Sequence, residues 1–256
     1  MAATVPLHAL TPPPAQVHAV SESLTAGDRT VALVGPAGDR LLSRVASIIG
    51  AAVVAVEGFW GIDWPTDITV VATRTDEEFR AAAGGGPASQ WADIAAVTVA
   101  DRVDPAHRLA LGQRIVFAPG ATAMSDSGLR IVLTHELFHY AARAATAVDA
   151  PRWLTEGVAD FVARPATPVP ADALPIPLTL PVDTDLDQPG PQRTLGYDRA
   201  WWFARFVADA YGTTALKDLY LAACGTGHPD MPTAFHDVLG ADSAGVLARW
   251  REWLTR

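Results

Sequence analysis

The run from Ile131 to Tyr140 constrains this chain more than any other, because it sets His135, Glu136 and His139 among helix-compatible residues. Residues four apart on a helix share a face, one turn above the other. Two imidazoles at that spacing can close on one metal ion. Glu136, beside the first of them, is a carboxylate able to take a proton from a nearby water. Ser125, Asp126 and Ser127 offer N-cap oxygens ahead of the helix, and no proline interrupts it before the alanine-rich continuation to Ala145. Leu129, Val132 and Leu133 make its upstream part apolar, which predicts a core helix. Alone, the pattern leaves two readings open: a metal site, or a buried pair of hydrogen-bonded histidines.

A second stretch, Pro151 to Phe161, narrows the choice. Proline suits the first turn of a helix, so a new helix is predicted to start at Pro151 and to stop before Pro165. The short link around Asp149 lets it fold back on the first helix. Glu156 then supplies a third protein ligand and leaves a fourth position for water or substrate, as a catalytic zinc site requires. Asp160, one turn after Glu156, can orient a ligating histidine by accepting its remaining ring N–H.

The His-Glu-x-x-His helix followed by Trp153, Leu154, Glu156, Gly157, Ala159 and Asp160 resembles the gluzincin group of zinc metallopeptidases. That group includes thermolysin and aminopeptidase N, and the small peptidase MA-like bacterial members fit best. The resemblance implies Zn2+ held by His135, His139 and Glu156, and Glu136 as general base to a zinc-activated water. It also implies Asp160 as the carboxylate behind a ligating histidine. It is carried by residues 131–161, and the flanks match in architecture only.

Half of the 256 residues are hydrophobic, dispersed and alanine-rich, which predicts a globular chain with ample core. A net charge of −9 without a Lys/Arg cluster argues against nucleic acid. The single cysteine, Cys224, excludes an internal disulfide and a cysteine-based metal site. No membrane span is expected, the apolar run Ile48 to Val56 being too short. Met1 to Gln16 lacks the pattern of a signal peptide, and Pro12 to Pro14 reads as a linker. Similar bacterial proteins sit outside the membrane behind an N-terminal anchor, so the resemblance implies an extracytoplasmic location.

In order, residues 1–27 read as a tail and a short helix (Val17 to Thr25), and residues 28–256 as one catalytic domain. Strands are expected at Thr30–Val34, Ile68–Ala72, Ile94–Val99 and Arg114–Ala118, with a helix over 37–57 and a capping box opening another at Thr75. The expected fold is α+β and zincin-like. An N-terminal α/β subdomain with a mixed sheet (28–146) faces a helical subdomain (147–256), with the cleft between them. In gluzincins an edge strand above the zinc pairs with extended substrate, and Arg114–Ala118 is the candidate, an ordinary core strand being the alternative. Residues 164–192, with eight prolines, read as one long loop. Asp183, Asp185 and Asp187 open like a calcium loop, but Gln188 and Thr194 stand where glycine and glutamate are needed, so a solvated acidic loop is expected. Helices follow from Tyr197 to the C-terminus. His107, His228 and His236 have no partner motif and read as structural or exposed.

Tyr197 carries one further implication of the resemblance. Aminopeptidase-type relatives use a tyrosine hydroxyl downstream of the third ligand to stabilise the oxyanion, and Tyr197 stands where it would be expected; packing beside Trp201 is the alternative. The Gly-x-Met-Glu-Asn segment by which aminopeptidases hold a free amine has no match between Trp91 and Ser127. A peptide or protein substrate cut by endopeptidase action is therefore expected. The rival from another class is a zinc-stabilised module that binds peptides without cutting them, against which the intact Glu136 counts.

Overall fold

Alternating apolar residues draw the first half of the chain into a sheet. The computed structural model describes residues 20–91, 94–170, 179–188 and 190–255. Its strands are β1 (Val20–Ala26), β2 (Arg29–Gly35), β3 (Asp67–Ala72), β4 (Ala96–Val99), β5 (Arg102–Asp104), β6 (Leu109–Leu111) and β7 (Arg114–Phe117). The main sheet runs β1-β2-β3-β7-β4, while β5 and β6 form a separate hairpin. Pairing is parallel for β2–β3 and β3–β7 and antiparallel at both ends, so the sheet is mixed.

Helix α1 (Arg40–Trp60) is capped by Asp39, which accepts from Leu42 N–H at 3.0 Å. Its Leu41, Val45, Ile49, Val53 and Val56 pack on Val31, Leu33, Ile68, Val70, Ile115 and Phe117 of the sheet. Helices α2 (Asp76–Ala82) and α3 (Ala88–Trp91) follow on the chain, and Phe79 and Trp91 meet Val97, Val99 and Val116 on the opposite face. Helix α4 (Asp126–Ala142) carries the histidines, capped by Ser125, and packs along α1 and β4. Then come α5 (Arg152–Ala163), α6 (Asp183–Leu186), α7 (Pro191–Tyr211), α8 (Thr213–Cys224), α9 (Met231–Leu239) and α10 (Ser243–Leu254). The fold is α+β, as expected.

Several expectations need correction. Residues 20–26 are not part of a tail or helix: Val20–Ala26 is β1, turned back onto β2 through Gly27 at φ 60. Alternation in that stretch is weak, and its pairing with β2 decides the conformation. Residues 1–19, with the proline linker, lie outside the described residues. The strand at Arg114–Phe117 is not an edge; it lies between β3 and β4, and the sheet's edge strands are β1 and β4, of which β4 is the one beside α4. The polar linker before it holds the β5–β6 hairpin, because Asp104 caps a short 3-10 turn at Pro105–His107. The long loop is broken by α6, and α7 starts at Pro191 rather than Tyr197; residues 171–178 lie outside the described residues. Its acids are engaged rather than merely solvated. Asp183 accepts from Trp153 N–H at 2.8 Å, Asp185 from Arg199 at 3.0 Å, and Asp187 from Arg152 at 2.6 Å. Finally, Ile48 to Val56 belongs to a 21-residue helix, α1, long and apolar enough by length and composition to cross a membrane. Its Leu41, Val45, Ile49, Val53 and Val56 lie in the core described above, while Val54 is exposed.

Helix α5 comes close to α7 because residue 157 has no side chain. A Cβ there would stand 2.4 Å from the carbonyl oxygen of Ala200. Gly157→Ala should therefore lower stability by about 1–3 kcal/mol through overpacking against backbone. Helix propensity alone would give a gain of about 0.5–1 kcal/mol, so the sign of the change in urea unfolding decides.

Candidate metal centre

Helical spacing puts His135 above His139 on one face of α4, and the crossing of α5 turns Glu156 toward both. His135 Nε2 and His139 Nε2 lie 3.1 Å apart. The Glu156 carboxylate oxygens stand 3.2 Å from His135 Nε2 and 3.4 Å from His139 Nε2. The three side chains thus offer ligand atoms all within 4.8 Å of one another. A four-coordinate ion with bonds of about 2.0–2.1 Å places its ligand atoms roughly 3.3 Å apart, so this donor set fits a tetrahedral metal. The side chains are 15%, 21% and 18% exposed, which leaves them open to the solvent side.

Behind His135 the groups form a chain. His135 Nδ1–H donates to Asp160 Oδ1 at 2.9 Å, so Nε2 can present a lone pair to the ion. Arg164 donates to Asp160 Oδ2 at 3.1 Å and to Asp198 at 2.9 Å, and its guanidinium lies 3.8 Å from the centre of the Trp201 ring. Glu136 faces β4: the Thr98 hydroxyl lies 2.7 Å from the Glu136 carbonyl oxygen and 2.8 Å from its Oε2, and shares one proton between them. Thr98, Arg164 and Asp198 were not singled out from sequence. Only Arg164 left a signal, four residues after Asp160, where helical charges meet.

These side chains line a cavity of about 1940 Å³. Ala95 to Thr98 form one wall, α4 and α5 the floor, and Asp187, Arg193 and Tyr197 contribute from the other side. Tyr197 sits in the second turn of α7. Burial raises the pKa of its hydroxyl, and the Glu156 charge raises it further, so it stays a proton donor. His107 and His236 are exposed and paired with Asp104 and Asp237, and His228 faces Asp149; none approaches this centre.

Electrostatics tie these side chains together. Burial raises the Glu136 carboxyl above its ordinary value, opposed by His135, His139 and the Thr98 hydrogen bond. Burial also pushes Glu156 upward, but the histidines outweigh it and hold the carboxylate far below its usual range. For His135, burial acts downward, yet Asp160 and Glu156 prevail and keep the imidazole protonated well above 6.5.

No family model matches the sequence, and no curated protein matches it. Among solved structures the chain is similar to a mutant of a two-domain M1 zinc metallopeptidase bound to L-tryptophan (14% identity, TM-score 0.45). It is also similar to a mutant M1 zinc metallopeptidase from Deinococcus radiodurans (15% identity, TM-score 0.45). Each match covers 93% of this chain and 51% or 52% of the other, so the chain spans about half their length. A likeness at this level says nothing of activity, and the functional reading rests on the side chains themselves.

A proton balance tests the centre. The raised pKa of His135 stabilises the metal-free fold below the ordinary 6.5 and is lost as pH climbs through the raised value. The depressed Glu156 stabilises it above the ordinary 4.5 and is lost as pH falls through the lowered value. The metal-free site is thus tightest where imidazolium and carboxylate coexist, and a metal binding in that pH range must expel the His135 proton. Calorimetric metal titrations in buffers of different ionisation enthalpy should record release on the order of one proton per ion. Zero release would contradict the assignment.

Proposed function

We propose that the chain is a zinc-dependent peptidase of gluzincin type that hydrolyses peptide bonds in peptide or protein substrates. The observation that carries this reading is Glu136. A metal kept only for stability needs no spare carboxylate, yet here one with a raised pKa lines the cavity beside the ligands. His135, His139 and Glu156 would hold the zinc, and Asp160 and Arg164 would keep His135 oriented. When bound, zinc supplies a Lewis acid that polarises a carbonyl and brings the pKa of a water toward ~7.

The chain's own residues do the rest. Glu136 accepts the proton of the attacking water at its carboxylate and hands it to the leaving amine. Thr98 aims that carboxylate, and the free edge of β4 pairs with the extended substrate in the cleft, the role expected of Arg114–Ala118. Tyr197 donates its hydroxyl proton to the negative charge developing on the carbonyl oxygen. Endopeptidase action is preferred to aminopeptidase action, since no amine-holding Gly-x-Met-Glu-Asn segment is present between Trp91 and Ser127.

Purified protein should carry about one zinc per chain, and His139→Ala should lose it. Glu136→Gln should keep zinc and fold while kcat drops by several orders of magnitude on a peptide identified from a library digest. A mutant as fast as wild type would sink the mechanism. Zinc without cleavage of any peptide would favour the binding module instead.

Tyr197→Phe separates catalysis from packing. A hydroxyl that meets the oxyanion acts mainly in the transition state, so kcat should fall on the order of a hundredfold while KM stays nearly constant. If Tyr197 only packs, the phenylalanine ring keeps the contact and the activity survives.

A further inference from the structure

Among the described residues, one cationic side chain lining the cavity makes no hydrogen bond or ion pair. Arg152 is tied to Asp187, Arg164 to Asp160 and Asp198, and Arg193 to the Gln188 carbonyl. Arg143 also lines the cavity and is partly buried, yet no hydrogen bond or ion pair engages its guanidinium among the described residues. Its backbone continues the α4 helix (φ −52, ψ −45), so Arg143 follows His135 and His139 at the same four-residue interval, on the ligand face. The polar groups nearest it in sequence are already committed. The Thr146 hydroxyl bonds to the Ala142 carbonyl at 2.9 Å and to the Tyr220 hydroxyl at 2.8 Å. A guanidinium is always charged and offers five donors, and leaving it partly desolvated and unpaired is costly unless something arrives to meet it.

We infer that Arg143 binds a carboxylate of the substrate and so makes the cleft selective for peptides bearing an anion at a fixed distance from the cut bond. This rests on the peptidase reading above. Four residues of helix rise about 6 Å, roughly the length of two residues of extended peptide, so the anion sits about two residues from the scissile bond. A carboxylate matches the planar, forked guanidinium. It can belong to an Asp or Glu side chain or to the peptide's own C-terminus. A residue that merely favours the C-terminal end of the α4 dipole would serve stability alone.

The test uses acetylated, amidated octapeptides in which one Glu or one Gln is moved along an otherwise neutral sequence, plus the Gln peptides with a free C-terminal carboxylate. Cleavage is followed with the zinc-loaded full chain and its Arg143→Gln and Arg143→Lys variants. Binding of the same peptides is followed in a Glu136→Gln background. Glu at one position, or the free C-terminus, should raise kcat/KM and binding roughly ten- to a hundredfold over the neutral peptide. Arg143→Gln should erase that gain for the anionic peptides without lowering the unfolding temperature, and Arg143→Lys should restore part of it. Preference for Glu at one site assigns the ligand to a side chain; preference for the free acid assigns it to the C-terminus. Cleavage or binding that ignores the carboxylate, or an equal preference in Arg143→Gln, overturns the inference and leaves the peptidase reading intact. Arg143-dependent binding without cleavage by wild type overturns the peptidase reading and keeps the anion site. A wild type that neither binds nor cleaves any of these peptides overturns both.

Discussion

Everything at this centre depends on how two helices cross. Two imidazole nitrogens and a carboxylate oxygen are aimed at one point within hydrogen-bond distance of each other, and gathering three such partly buried polar groups is costly without a fold that holds them. They stay there because α4 is held by its apolar back against α1 and the sheet, and α5 is pinned from behind by α7. Leu129, Leu133 and Leu137 are fully buried, as are Leu154 and Val158. Gly157 sets how close α5 comes to α7, and Glu156 is its immediate neighbour. The position of Glu156 is thus decided by backbone contact rather than by its own side chain.

The second constraint is electrostatic. Asp160 is buried and would be expensive as a lone anion, but His135 and Arg164 both donate to it. Arg164 in turn spans to Asp198 and lies against Trp201, so the arginine couples the end of α5 to α7. This fixes the His135 tautomer through groups that never reach the cavity centre. Removing Arg164 would leave Asp160 with one donor and free the imidazole to turn, which links a contact near the surface to the geometry of the ligands.

What the sequence disclosed and what it hid follow the range of the interactions. Helices α1, α4 and α5 announce themselves through apolar periodicity and caps, and all their signals lie within one or two turns. The convergence of His135, His139 and Glu156 was visible for the same reason: two share a helix and the third lies on the next one. Strand order is set by pairing between distant segments, so residues 114–118 could be read either as an edge or as a core strand; they are a core strand, and β4 is the edge beside the histidine helix. The same non-locality concealed β1, whose alternation becomes evident only against β2, and Thr98, which sits 38 residues from the glutamate that it touches. Residues 164–192 misled for another cause. Eight prolines suggested one loop, but Pro191 is in the first turn of α7, where a missing N–H costs nothing.

The correction of the edge also explains how the sheet reaches the chemistry. Along β4 successive side chains face opposite ways. Val97 and Val99 point to Phe79 and Trp91 on one face, and Ala96 joins the core on the other. Thr98 shares the face of Ala96, and that face looks onto α4, so its hydroxyl meets both the backbone carbonyl and the carboxylate of Glu136. A register slip of one residue would turn a valine toward that glutamate and leave its carboxylate without a donor, while Thr98 would be forced against Phe79. Register is therefore enforced twice, by the apolar packing of the valines and by the polar contact of the threonine. One short strand offers its unpaired edge to the cavity and a hydroxyl to the carboxylate beside the ligands, and it can do both only in the register that the valines impose.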